Sequence, residues 1–454
     1  MKTDNKIAVR FYLIIALGVL PALIQAQDNS LRFGGEIYID NRFRTQDGTW
    51  SWNENRLNLQ LKKNFNGKAA MYSEVWLRSF GFPMLNQTDQ LFNKDDVAPY
   101  NIDIREAYVD LYDFLLEGLD VRIGRQRIAW GTGDRINPTD NLNPDDLEDI
   151  WDFGRHLGSD GIKAIYYFSD YFFEVDYLPF FKPAVLPRGD WSDVLAPPVD
   201  MPPDITVRNL TDSLVMPKFN LRESSTYGAK FGAFIAGFDF SISFVYGRDD
   251  LPIQYYNTVS FVELPATIDI KSDLLYNRQY VFGADLSGAI GSVGIWGEMG
   301  VFLPEKEVVM TTDLSQMGLP DRDSVMLKKE TFIKFVVGTD YTFGDGSYLN
   351  AQFFHGFVTE RGRGNLNDYL MLNWEKDFFN YKLKVNPLAG AFIVSDWKDI
   401  PNNHAWVYAP FITYYPNINT EIRLGVRLIG GAGDNMFALV TDKDEVFFSV
   451  RFSF

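Results

Sequence analysis

The chain of 454 residues contains no cysteine. That excludes disulfides, thiolate metal sites and a lipid-attachment cysteine behind an export signal. Histidine is scarce: only His156, His355 and His404 occur, so metal ligation and nucleophilic triads have few places to sit. Beyond the first 26 residues no apolar run reaches the ~20 residues that a membrane helix needs. Basic residues are outnumbered, 43 Lys and Arg against 60 Asp and Glu, for a formal charge of -17. This excess of acid argues against a nucleic-acid partner. The acidic segments lack the glycine-centred spacing of a Ca²⁺ loop. Neither a cofactor nor a metal site is expected.

Aromatic residues, by contrast, make up 16% of the chain, with 38 Phe and 23 Tyr. They are spread among polar residues with a period of two, which places alternate side chains on opposite faces of a strand. The last segment, EVFFSVRFSF, puts Val446, Phe448, Val450, Phe452 and Phe454 on one face and Ser449, Arg451 and Ser453 on the other. About eighteen segments alternate in this way, each near the ~10 residues of a tilted membrane strand. Short connections (65–67, 169–170, 236–237, 344–346 and 379–380) alternate with long ones near 80–100, 131–159, 181–223, 248–277 and 303–330. Short periplasmic turns and long external loops in alternation predict an all-β, antiparallel transmembrane barrel of 16–18 strands.

The N-terminus agrees. Lys2, Lys6 and Arg10 precede an apolar stretch from Phe11 to Ile24, followed by Gln25-Ala26. This reads as a secretory signal, residues 1–26, with cleavage after Ala26. Residues 27–454 then form a single barrel domain in the outer membrane of a Gram-negative-type cell. Membrane lipid and lipopolysaccharide are its expected surroundings. A chain ending on the aromatic Phe454 resembles the C-terminal signal through which outer-membrane barrels engage their assembly machinery.

With the apolar parity facing lipid, the opposite parity supplies the lumen, because a lipid-facing charge costs roughly 2–4 kcal/mol at mid-membrane. It collects Arg56, Arg78, Arg122, Lys163, Lys334, Lys382, Lys384, Arg423 and Arg427, among other bases, against Glu74, Glu106, Asp110, Glu174, Glu375 and Glu421. Such a lumen is either a charge-filtered channel or one held shut by salt bridges and a folded loop. The decisive stretch is RIGRQRIAWGTGDRINPTDNLNPDDLED, residues 122–149. A strand ends at Trp130-Gly131 and passes into a long acidic loop whose Asn-Pro and Asp residues favour turns. Arg122, Gln126, Asp134 and Arg135 are the candidate constriction or anchoring residues, with Lys382, Lys384, Arg423 and Arg427 further along the path. Pairing of Arg122, Arg125, Arg127 and Arg135 with the nearby acids Asp134, Asp140, Asp145, Asp146, Glu148 and Asp149 is the favoured arrangement, since such a loop needs internal ties. The loop 181–223 is rich in Pro and apolar residues, and fits a plug, a hydrophobic gate, a docking surface for a partner or a packed external loop.

The stretch GRQRIAWGTGDRINPTDNLNP, preceded by REAYVDL at 105–111, resembles a family of uncharacterised porin-like Gram-negative outer-membrane barrels. In that family Gly-Arg-Gln leads to Trp-Gly and Asn-Pro repeats. Members are often encoded near inner-membrane exporters of the resistance-nodulation-division type. The resemblance therefore implies export or transfer of lipid-like substrates with a periplasmic or inner-membrane exporter as partner. Gly124, Arg125, Gln126, Gly131, Gly133, Asp134 and Arg135 are also similar to alginate-export barrels, which implies an eighteen-stranded channel and a polysaccharide substrate. The first expectation is passive passage of solute, with a plugged structural or surface-interaction barrel as the third reading. His156 lies beside Ser159 and Asp160, but adjacency in a loop is not triad geometry, and His355 and His404 read as interfacial or structural. No enzyme is expected.

Overall fold

The computed structural model describes residues 31–454 apart from 84, 86, 196–204 and 264–266. The expected export signal, residues 1–26, lies outside the described residues. Eighteen antiparallel crossings close into one barrel. The first seven are β1 (Leu31–Arg44), β2 (Trp50–Phe65), β3 (Ala69–Phe80), β4 (Tyr100–Leu111), β5 (Leu119–Gln126), β6 (Ser159–Phe168) and β7 (Tyr171–Leu178). Then come β8 (Thr226–Ile235), β9 (Phe238–Arg248), β10 (Arg278–Ile290), β11 (Val293–Pro304), β12 (Phe332–Thr342) and β13 (Tyr348–His355). The last five are β14 (Asp368–Phe378), β15 (Leu383–Val394), β16 in two pieces (His404–Tyr408 and Phe411–Asn417), β17 (Thr420–Ala432) and β18 (Glu445–Ser453). Closure is made by β1 against β18, from Glu36 opposite Ser453 to Arg44 opposite Glu445. No edge strand is left in the barrel, as a membrane requires.

The expected alternation of connections is present. Asn66-Gly67 joins β2 to β3 with both residues at positive φ, 52° and 71°, the backbone of a two-residue hairpin turn matched to strand twist. At the same end, Tyr166, Phe168, Tyr171 and Phe231 stack on one another, as interfacial aromatics do. Three of the long connections do what their sequences did not announce. Segments Thr206–Val215, Ile253–Glu263, Thr267–Leu275, Val308–Asp313 and Arg322–Leu327 pair into a separate five-stranded sheet. Two of its pairings are parallel, Ile253–Glu263 with Val308–Asp313 and Thr267–Leu275 with Thr206–Val215.

Parity sorts the barrel wall. Ile37, Ile123, Phe282, Leu424 and Phe448 are exposed on the outside, whereas Glu54, Arg78, Glu298 and Lys334 are buried within. Two bulges shift the phase. One, opposite Glu74 and Val75, lets both Arg105 and Glu106 serve the lumen. The other is on β15 at Asn386-Pro387, opposite Glu375. Beyond it Leu388 and Phe392 face out, while Ile393 is fully buried with Ala391 packed beside it. An extra residue on one strand re-aims every side chain after it.

Candidate functional site

The connection 127–158 folds back into the barrel and is tied to the wall on opposite sides. Its first anchor is Trp130, whose Nε1 donates to Glu174 on β7 at 2.8 Å. The second is Glu298 on β11, which accepts from the backbone N–H groups of Thr132, Gly133 and Thr139 at 2.8, 3.0 and 2.7 Å. The Thr139 hydroxyl and the Asn137 amide donate to the same carboxylate. Gln352 on β13 accepts from Asp134 N and donates to Asp134 O, at 3.0 and 3.1 Å. Across the lumen, Arg42 of β1 holds Asp149, Arg78 of β3 holds Glu148 at 2.8 Å, and Arg105 of β4 holds Asp146 at 2.9 Å. Burial alone would raise the Asp149 carboxyl, but the Arg42 guanidinium holds it well below the usual range.

Apolar packing completes the attachment. Ile136 and Ile150 of the loop lie in one cluster with Val336, Phe354, Tyr369, Ile393, Val407 and Ile429, all inward-facing on β12 to β17. Trp191, from the Pro-rich connection after β7, joins that cluster and meets Trp151 edge to face at 5.5 Å. Part of the Pro-rich segment is therefore packed against the lumen loop. At roughly 25 cal/mol per Å² of apolar surface removed from water, such a cluster holds a loop more firmly than exposed ion pairs do.

Charges lining the wall are mostly paired. Arg122 donates to Asp110 at 2.7 Å and stacks on Tyr108 at 3.8 Å. Lys163 meets Glu174 at 3.2 Å. Lys384 meets Glu375 at 2.6 Å, and Arg423 meets Glu421 at 2.6 Å while lying over Phe411. Arg427 pairs with Glu445 and sits over Trp151 and Phe447. Gln126 is fully buried at the loop's base, its amide donating to Gly161 O at 3.1 Å. Lys382 stands in the turn between β14 and β15, at the strand ends remote from the loop. Its inclusion in the path is corrected: a turn residue lines no lumen.

Within the loop the expected pairing is partly present. Arg127 binds the loop's Asp140, whereas Arg125 binds Asp160 of β6 at 3.1 Å and Arg122 binds Asp110 of β4, both outside the loop. Arg135 departs from that expectation. Among the described residues it enters no ion pair and no side-chain hydrogen bond, and it is exposed. Its φ of 70° is in the left-handed region, disfavoured for a bulky side chain and held only where the surroundings impose it. Gly154 supplies part of that constraint: a Cβ there would sit 2.6 Å from the Arg135 carbonyl. Arg135 and Ile136 border two cavities at once. The smaller, about 80 Å³, also touches Asp140, Asp145, His156, Asp250 and Arg361. The larger, about 410 Å³, lies between the loop and the wall from β13 to β18. Asp134, also exposed, borders the larger one and accepts from Asn350 at 3.5 Å.

Sequence reasoning missed Glu298, Gln352 and the apolar inner wall. The alternation in GIWGEMG, residues 294–300, does carry a signal for Glu298, since Trp296, Glu298 and Gly300 share a parity. The partner segment is some 160 residues away, and no local pattern indicates it.

At the smaller cavity, burial and then repulsion from neighbouring carboxylates (Asp140 and Asp249 on Asp145, Asp145 and Asp249 on Asp250) push Asp145 and Asp250 up to about 7 each. Asp145 N donates to Asp250 at 2.6 Å, so the pair joins the lumen loop to the connection after β9. Asp249 is neutralised by Arg361, and Asp140 and Lys334 stand nearby. Because the raised carboxyls hold protons that a released loop would lose, the junction is strongest below about pH 4 and is lost as pH rises through about 7. Buried His156 is pushed down from its ordinary value, and so opposes this trend only below about pH 6.5. Channel opening is expected to increase severalfold between pH 5 and 8 in single-channel records. The double variant Asp145→Asn, Asp250→Asn should flatten the profile, and an unchanged profile would rule out this junction as the source.

No protein-family model matches the chain, and no curated protein matches it. Solved structures do. A loop L8 deletion mutant of OmpT, an outer membrane protein of Vibrio cholerae, aligns with a TM-score of 0.41 and 10% identity, over 94% of this chain and 99% of that one. Outer-membrane expressed OmpT of Vibrio cholerae aligns with a TM-score of 0.40 and 11% identity, over 93% of this chain and 97% of that one. Salmonella typhi OmpF in complex with daunomycin aligns at 0.40 and 9%, over 93% and 97%. Likeness this distant adds no weight to what the wall itself displays: a closed sheet, apolar outside and ionic within. The chain is a β-barrel of the outer-membrane type. The exclusion of an enzyme, drawn from the sequence, is corrected: His156 Nδ1 lies 3.4 Å from Asp145 in a cavity of raised carboxyls, a type of environment in which acid–base groups are found. His355 Nδ1 lies 2.7 Å from Asp368, and His404 Nδ1 lies 2.9 Å from Ile400 O.

Proposed function

We propose that this barrel passes solutes across the outer membrane and that loop 127–158 forms its constriction, with Arg135 as the charge filter. The carrying observation is that the wall charges are largely paired while Arg135, held at positive φ and bordering two cavities, has no ion-pair partner among the described residues. An unneutralised charge at the narrowest point governs which ions enter. Gln126 acts as a tie at the loop's base, Arg122 lines the wall paired with Asp110, and Arg423 and Arg427 line the path beside the loop. Residues 1–26 direct export, and the strand ending at Phe454 is the segment the assembly machinery engages. The motif of residues 105–149 supports a family role in envelope transport, for which a periplasmic or inner-membrane exporter is the partner.

The test is conductance of the refolded protein in planar bilayers. Arg135→Ala is expected to enlarge the current step and shift permeability severalfold towards cations, and Arg135→Glu to shift it further. Currents of unchanged selectivity in both variants would remove Arg135 from the filter. Silence from verified, folded wild-type barrel would count against the channel itself.

A further inference from the structure

The lumen wall is divided. Inward positions of β1 to β4 carry Asp40, Arg42, Glu54, Arg56 and Arg78, buried in an ionic and aromatic lattice. Inward positions of β14 to β16 carry Met371, Ala389, Ala391, Ala409 and Phe411, and these border the larger cavity together with the polar Asn373, Glu375 and Asn386; of these Glu375 is neutralised by Lys384. Apolar side chains facing the inside of a barrel have no lipid to meet. Nearer the mouth the loop's isoleucines and Trp191 cover their equivalents. Beside them the cavity of about 410 Å³ remains, within the range of pockets that hold small organic ligands.

We infer that this cavity is a binding site for an amphipathic monocarboxylate, its apolar or aromatic body on the Met371–Ala391–Phe411 wall and its carboxylate at Arg135. The inference rests on the channel reading above and names the substrate class of that same site. A guanidinium without a partner offers a carboxylate a two-pronged contact. Asp134 beside it disfavours a second negative charge on the ligand. Arg423 and Arg427 also border the cavity, but they are occupied by Glu421 and Glu445. The site therefore takes one charge and a hydrophobic body, and discriminates against polyanions such as acidic polysaccharides.

The experiment is ¹⁹F NMR of 4-(trifluoromethyl)cinnamate with the barrel in lipid nanodiscs, alongside empty nanodiscs. Wild-type barrel is expected to shift and broaden the probe's signal in a saturable manner. Ala391→Trp, which fills the cavity, should abolish saturable binding, and Arg135→Ala, on an exposed loop position, should weaken it severalfold. The neutral amide of the probe should bind more weakly than the acid, and benzene-1,3,5-tricarboxylate should not compete. Binding no different from empty nanodiscs, unaffected by either variant, or equal for acid and amide overturns the inference, as does tighter binding of the tricarboxylate. Because the signal does not require current, saturable binding by an electrically silent barrel would sink the channel reading alone. Steady current without binding would sink the inference alone.

Discussion

Glu298→Ala is expected to release the lumen loop while leaving the barrel closed. The Glu298 carboxylate is almost fully buried and accepts three backbone N–H groups, a hydroxyl and an amide from residues 132–139. Removing it strands those donors, and each buried donor left unpaired costs about 1–3 kcal/mol. Water entering the vacated space recovers part of this, so a net loss of at least about 3 kcal/mol in loop attachment is expected. Glu298→Gln should lie between, because one oxygen still accepts while the new amide faces donors. The barrel's ladder bonds are untouched, so its thermal unfolding should change little. Larger, noisier current steps and new protease cleavage within 127–158 are the expected readouts. A variant with wild-type currents and an uncleaved loop would show that Ile136, Ile150 and their apolar neighbours hold the loop without Glu298.

The contrast between Glu298 and the strands around it shows what the sequence could disclose. Strand identity and closure were legible, because lipid outside and water inside impose opposite chemistry on alternate residues. Val446, Phe448, Val450 and Phe452 against Ser449 and Arg451 is one instance, and β18 pairs on both sides as that pattern demands. The alternation of turns and loops was legible for the same reason that Asn66-Gly67 makes a turn: its chemistry is local. The rule that apolar parity faces lipid failed on β15, where PLAGAFIV reads as one apolar run. There both faces are apolar, and a bulge on β15 itself, at Asn386-Pro387, shifts the phase. Lys382 was lost to a turn because alternation alone does not mark where a strand stops. Arg135 was singled out, yet pairing with the loop acids was the favoured fate of these arginines. That holds for Arg127 and Asp140 but not for Arg135, whose backbone conformation depends on Gly154 and on tertiary contact. The external sheet joins three loops through pairings that no single loop encodes.

Arg42 is where the second large effect is expected. It is 2% exposed, and its guanidinium bonds Asp149 of the loop through both nitrogens, at 2.8 and 2.5 Å, and Asp40 through Nε at 3.1 Å. Its face lies over Trp52 at 4.7 Å. Arg42→Met keeps much of the volume but leaves two carboxylates buried without their cation. Breaking a buried pair from one side destabilises by about 3–5 kcal/mol, because the remaining charge is uncompensated. Asp149→Asn removes one of the two charges, so adding it to Arg42→Met should recover part of the loss, a coupling of about 0.5–3 kcal/mol between residues in contact. Urea-dependent folding into lipid vesicles measures all three variants, and strictly additive losses would mean that Arg42 and Asp149 do not act as a unit. The pH dependence has the opposite sign to that of the Asp145–Asp250 junction. Asp149 is held below its ordinary value, so its tie is complete above about pH 4 and is lost on acidification. Near neutral pH the loop should therefore loosen first beside Asp250, between pH 5 and 7, while the Arg42 side stays fixed. An opening that pivots on β1 rather than on β9 follows from that order, and hydrogen exchange along residues 127–158 at pH 5 and pH 8 would locate the pivot.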